Sequence, residues 1–282
     1  MIVSSTRRRR SATAGALGFI AFAAFSSLNG AAMADADMSG RAVMDETSAR
    51  HDAPFEFEQQ EMTLIDASGA EEVRTLKRYA REDDAGFKYL MVFHAPSGVE
   101  GVALLTWQND DADDDQFLYL PSMGREIKRI AKGGKRNYFM GTDFTFEDLV
   151  SEDRDKFSYE RMEDGSFDGA PAFIVEVRPI DEELKRSSGY GMRRFTVLKD
   201  SFFIAQIDFF DRRDRFIKRQ VATDYGPVEG REPMWRAATL VMENEKENHK
   251  TRVVTTERSF AEDDVPERNF TQRFITSGRH LR

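Results

Sequence analysis

The chain has 282 residues, 50 of them acidic against 41 basic, a formal charge of −9 and no cysteine. The lack of thiols excludes disulfides, thiol catalysis, Cys-ligated zinc and a lipid-modified N-terminal cysteine. The acidic balance argues against nucleic acid and anionic membranes as long-range partners. At the start, Arg7 to Arg10 are basic, Ala12 to Leu28 carries no charge, and Ala32-Met33-Ala34 offers small residues in a signal-peptidase pattern. Residues 1–34 therefore read as an export signal cleaved after Ala34. Ser26, Ser27, Asn29 and Gly30 interrupt the apolar stretch, which suits a leader better than a span needing ~20 apolar residues. Removing the leader takes away four arginines and no acid, which moves the charge from −9 to −13. Residues 35–282 then read as a single soluble domain, exported to the periplasm, with enough chain for a sizeable core.

Ser39 to Arg50 has helical spacing, with Ser39 placed to cap it. After Pro54 the pattern changes to period two: Phe55, Phe57 and Gln59 alternate with Glu56 and Glu58, and an extended run continues to Ile65 before the turn Ala67-Ser68-Gly69. Val73 to Tyr79, Phe87 to His94, Gly101 to Trp107 and Gln116 to Leu120 follow as strands, the last two as hairpin partners around the acidic loop Asn109 to Asp115. Ala172 to Arg178, Met192 to Leu198, Phe202 to Phe209, Arg215 to Tyr225, Met234 to Glu243 and Lys250 to Arg258 continue the series. Roughly eleven strands with few helices, no repeat and no linker predict one antiparallel β domain, a sandwich or barrel. Short helices are expected at Phe146 to Val150, with Thr145 as cap, and at Asp181 to Ser187.

Nothing in the chain assembles a catalytic centre. His51, His94, His249 and His280 are too scattered for a metal pair and read as surface residues. The loop containing Asp110, Asp111, Asp113, Asp114 and Asp115 lacks the glycine turn and distal glutamate of a calcium loop, and reads as a solvated hairpin tip. Lys132-Gly133-Gly134-Lys135-Arg136 runs into Asn137 rather than the Ser or Thr of a P-loop. Together with Arg125, Lys128 and Arg129, Lys132 forms a basic strip, either solvated surface or a docking face for an acidic partner or anionic headgroup. No enzyme activity, metal or cofactor is expected. The 23 phenylalanines are an unusual load for so charged a chain. Bulky side chains on one face of a curved sheet build either a filled core or a ligand cavity, and Trp107, Phe117, Tyr119, Phe139, Met140, Phe144 and Phe146 are the candidates for its lining.

The stretch from Leu104-Leu105-Thr106-Trp107 through Gln116 to Pro121, Arg125 to Ile130 and Phe139-Met140-Gly141-Thr142-Asp143-Phe144-Thr145-Phe146-Glu147-Asp148-Leu149 resembles the outer membrane lipoprotein-sorting family, the LolA-like carriers, and especially its divergent branch associated with RND-type lipid exporters. Gly98 to Gly101, Asn248 to Thr251 and Asn269 to Phe274 extend the likeness in order. The resemblance implies a mainly β fold, an open and strongly bent antiparallel β-barrel whose apolar cavity is lidded by a few short helices and takes acyl chains. It implies a monomeric, non-enzymatic periplasmic carrier of lipid or lipoprotein acyl chains, with an RND-type exporter or another envelope membrane protein as partner. An interaction or regulatory module of an exporter or stress sensor is the alternative, and a lipid hydrolase a third. Cargo, donor, acceptor and direction of transfer are left open by the sequence.

Overall fold

A computed structural model describes residues 38–84, 86–109 and 113–281. The expected leader and its cleavage point, and Asp110 and Asp111 of the acidic loop, lie outside the described residues. The chain opens on helix α1, Gly40–His51, whose N-cap Ser39 accepts a hydrogen bond from the Ala42 amide. That bond satisfies one of the amides a helix start leaves without a partner.

The strands are β1 Phe55–Ile65, β2 Glu71–Asp83, β3 Gly86–Ala95, β4 Ala103–Trp107, β5 Asp115–Tyr119, β6 Ile127–Arg129, β7 Phe157–Arg161, β8 Gly165–Phe167, β9 Ala170–Pro179, β10 Met192–Leu198, β11 Ile204–Phe210, β12 Phe216–Pro227, β13 Trp235–Asn244 and β14 His249–Ser259. All join one 14-stranded sheet ordered β6-β5-β4-β3-β2-β1-β14-β13-β12-β11-β10-β9-β7, with β8 paired to β9. Every pairing is antiparallel, and the first and last strands meet in the middle through β1 and β14. The sheet is not closed: β6 forms one edge, and β7 and β8, both paired to β9, form the other. Two further short α-helices follow, α2 at Glu182–Ser187 and α3 at Gln272–Thr276.

Both faces of the first half of the sheet are covered. One face carries Met62, Leu76, Met91, Phe93, Leu104 and Leu118, packed with Phe139, Phe144 and Phe146 from the loop after β6. The opposite face carries Leu90, Val92, Ala103, Leu105 and Phe117, packed with Val265, Phe270 and Ile275 from the C-terminal segment. The alternation of strand side chains makes this double use possible, since neighbours along a strand point to opposite faces.

Three short strands, β6, β7 and β8, went unread in the sequence. Each has three to five residues, too short for a period-two pattern to stand out. The expected helix at Asp181 to Ser187 forms as α2, with the Asp181 carboxylate accepting from the Leu184 amide. The one expected at Phe146 to Val150 is only a 3₁₀ turn, Glu147–Leu149.

A plugged cavity with a charged end

Residues 138–151 form a plug against the face of the sheet that carries Met62 and Leu104. Tyr138 and Thr145 make an isolated antiparallel bridge, and the reversal between them passes through Met140 at φ 49° and Gly141 at φ 77°. Met140 stands in the left-handed region that glycine tolerates best, and its carbonyl accepts a 2.6 Å hydrogen bond from Arg74. The Asp143 amide donates to the Thr251 hydroxyl, and the Asp143 carboxylate accepts from that hydroxyl at 2.7 Å and faces His249 Nδ1 at 2.6 Å. Lys218 Nζ donates to the Asp143 carbonyl at 2.8 Å and meets the Asp148 carboxylate at 2.5 Å. The Tyr190 hydroxyl donates to Asp148 as well, and burial pushes that phenol well above its usual range, with the Asp148 charge adding to the effect.

Lys218 is wholly buried. Its ammonium also lies over the rings of Phe209, Tyr190 and Tyr138, at 4.9, 5.2 and 5.7 Å. A buried ammonium is tolerated only where charge, carbonyl and aromatic faces replace its water. Here one lysine from β12 ties two points of the plug, Asp143 and Asp148, to the sheet.

Between plug and sheet lies a cavity of about 420 Å³, within the range of small-molecule sites. Its apolar wall is made by Met62, Leu104, Phe144, Leu149, Ile207, Leu240 and Val253. Its other wall is charged, lined by Glu56, Glu58, Arg78, Arg236 and Arg258. Glu58 accepts from Arg258 at 2.6 Å and from Arg78 at 3.1 Å, and Glu56 accepts from Arg236 at 2.8 Å. Burial alone would push the Glu58 carboxyl up, but Arg78 and Arg258 outweigh it and hold it below the usual range. The stability this contributes is present above the unfolded glutamate pKa and is lost as pH falls through the folded one.

The sequence candidates separate on inspection. Phe144 is on the cavity wall. Phe139 and Phe146 belong to the packed core behind it, with rings 5.4 Å apart, and Met140 packs against the same core. Trp107, Phe117 and Tyr119 sit instead in the cluster on the opposite face of the sheet, where the Trp107 indole donates to the Phe270 carbonyl at 3.0 Å. Closeness in sequence did not distinguish the two faces of a hairpin. The charged wall was not anticipated, and the cavity is amphipathic rather than uniformly apolar.

The histidines are less superficial than expected. His249 anchors the plug, His280 is buried, and His51 accepts from the Trp235 amide at 3.1 Å. In the basic strip Arg125, Lys128, Arg129 and Lys132 are all exposed. Arg129 pairs with Asp115, and Lys132 pairs with Asp113 and Glu183. Among the described residues Arg125 and Lys128 have no ion pair, so they are the unneutralised half of the strip. The Lys132–Glu183 pair ties the turn after β6 to α2, the short helix between β9 and β10.

An open antiparallel sheet bent around a plugged cavity is a LolA-like architecture, and solved structures of that kind match it closely. An outer membrane lipoprotein-sorting protein domain from Vibrio parahaemolyticus aligns with TM-score 0.77 and 28% identity over 84% of this chain and 98% of its own. A DUF1329 family protein from Desulfovibrio piger aligns at 0.75 and 20% over 84% and 97%. A LolA superfamily protein from Nitrosomonas europaea aligns at 0.65 and 14% over 84% and 99%. A family model described as "uncharacterized protein"-like matches residues 86–277, and the chain belongs to that family, with the LolA-like fold. The comparison with curated proteins found no match.

Proposed function

We propose that the protein is a non-enzymatic periplasmic carrier that shelters an acyl chain in the cavity beneath the plug. The single observation that carries the reading is that 420 Å³ space, walled on one side by Met62, Leu104, Phe144, Leu240 and Val253. Removing apolar surface from water contributes about 25 cal/mol per Å², enough to hold a hydrocarbon chain without specific polar contacts. The Vibrio domain's assignment to lipoprotein sorting supports the same class of cargo. No helix among the described residues is long and apolar enough to cross a membrane. On this reading residues 1–34 are the export signal, residues 35–282 act as one monomeric carrier domain, and an RND-type exporter or another envelope membrane protein is donor or acceptor.

Protein purified under native conditions and extracted with organic solvent is expected to release acyl lipid in near-stoichiometric amount by mass spectrometry. Clean extracts, together with failure to bind a fluorescent fatty-acid probe, would refute the carrier reading.

The unpaired half of the basic strip is proposed as the docking face. Exposed ion pairs contribute only about 0.2–1 kcal/mol, but unneutralised cations attract an anionic surface at low salt. Reversing Arg125 and Lys128 to glutamate should weaken association with phosphatidylglycerol vesicles several-fold at low ionic strength. Reversing Arg129 and Lys132 should do so less, because acidic partners already neutralise them. Equal, unchanged association in both variants returns the strip to solvated surface.

A further inference from the structure

The polarity of the cavity is ordered along the strands. On β1, Glu56, Glu58 and Gln60 are followed by Met62 on the same face; on β13, Arg236 gives way to Leu240; on β14, Arg258 gives way to Val253. Register holds these levels together, since Glu58 stands opposite both Arg78 and Arg258, while Val253 stands opposite both Met62 and Leu240. Four residues of strand separate the two levels, about 13 Å at the usual rise. The space therefore has a charged end and an apolar end.

The charged end has a surplus of one cation. Glu56 and Glu58 face Arg78, Arg236 and Arg258, while the third carboxylate on the wall, Asp148, is already bound to Lys218. Arg236 and Arg258 are engaged with Glu56 and Glu58 and with the Trp235 and Ala237 carbonyls. Arg78 is different. It donates once, from Nη1 to Glu58, and otherwise lies over the Tyr89 ring at 5.5 Å, beside the hydroxyl pair Tyr89–Ser151. Its side chain keeps 29% exposure, against 17% and 20% for Arg236 and Arg258.

We infer that Arg78 receives the anionic head of an amphiphile, a carboxylate or phosphate oxygen group, whose acyl chain runs toward Met62, Leu240, Val253 and Phe144. This deepens the carrier reading and rests on it. A guanidinium fork matches two oxygens of such a head, and charge-assisted bonds away from bulk water are roughly twice as strong as neutral ones. A purely apolar cavity would hold any chain of the right length; this one selects by charge.

The test compares palmitate with methyl palmitate, and lysophosphatidylglycerol with the corresponding monoacylglycerol, which lacks the phosphate, by displacement of a fluorescent acyl probe from the purified chain at pH 8. Palmitate is expected to bind about tenfold more tightly than its ester, the size of one charge-assisted hydrogen bond. Preference within the phosphate pair instead identifies a phospholipid-type head, and preference within both pairs identifies the oxyanion itself. Arg78→Gln should erase the preference, and Arg78→Lys should restore part of it. Equal affinity within both pairs for the parent overturns the inference and leaves the carrier reading standing. Failure of all four ligands to bind defeats the carrier reading instead. The parent comparison decides the matter even if Arg78→Gln folds poorly.

Discussion

Lys218→Met is expected to lower the unfolding free energy by about 3–5 kcal/mol, the usual cost of removing one partner from a buried ion pair. The residue is fully buried and bonded to the Asp148 carboxylate and the Asp143 carbonyl, with three aromatic rings around the ammonium. Methionine fills similar volume, so the loss isolates charge and hydrogen bonding from packing. What remains is a buried carboxylate that accepts from the Tyr190 hydroxyl and the Thr145 amide. Adding Asp148→Asn should recover a large part of the loss, because the stranded charge goes with it. Urea unfolding of the single and double variants measures both effects. A loss below about 1 kcal/mol for Lys218→Met would mean that the pair does not hold the plug. Because Lys218 reaches both Asp143 and Asp148, its loss should also speed release of a bound acyl probe.

The alternation in β1 shows what the sequence could and could not tell. Phe55 and Phe57 against Glu56 and Glu58 is an unmistakable period of two, and the strand forms as Phe55–Ile65. The usual rule sends the phenylalanines inward and the glutamates to water. Here Phe55 and Phe57 pack on the face covered by the C-terminal segment, while Glu56 and Glu58 are buried at the charged end of the cavity. Periodicity reports that two faces differ, and only the long-range covering of each face decides which is which. The arginines that neutralise those glutamates come from β2, β13 and β14, and Arg236 and Arg258 lie some 180 to 200 residues away. No local spacing could have joined them.

The central hairpin makes the same point from the opposite side. Trp107, Phe117 and Tyr119 are cross-strand neighbours of β4 and β5, with Trp107 opposite Asp115 and Tyr119 opposite Ala103. Their aromatic character was plain in the sequence, and their association is real, since the Trp107 and Phe117 rings meet at 4.9 Å. Which face they occupied depended on α3 and the turns before it, which lie more than 140 residues downstream of β5. By contrast, the helix α1 was legible almost to the residue, because its cap and spacing are local. The plug was legible as a motif and as an aromatic stretch, but its anchors, Arg74, Lys218, His249 and Thr251, were not.

Of the seven aromatic and sulfur side chains proposed for the cavity, Phe144 is the one on its wall, and the strongest test of the acyl site is to place a carboxylate there. Phe144 is only 6% exposed and shares the core with Met62, Phe93 and Leu104. Phe144→Ala should therefore cost about 3–5 kcal/mol in stability while widening the cavity. Phe144→Asp should cost at least as much and set an unpaired charge against the bound chain, which a hydrocarbon cannot solvate. Leu240→Asp supplies the control, since Leu240 faces the same space from β13 yet is only half-buried, so folding should survive. Circular dichroism and binding of a fluorescent fatty acid, measured together, should show Leu240→Asp folded with affinity reduced on the order of a hundredfold, equivalent to about 2.7 kcal/mol. Phe144→Asp should lose binding at any temperature where it remains folded, whereas Phe144→Ala should keep it. If folded Phe144→Asp and Leu240→Asp both bind the probe as the parent does, the acyl chain does not occupy the space beneath the plug.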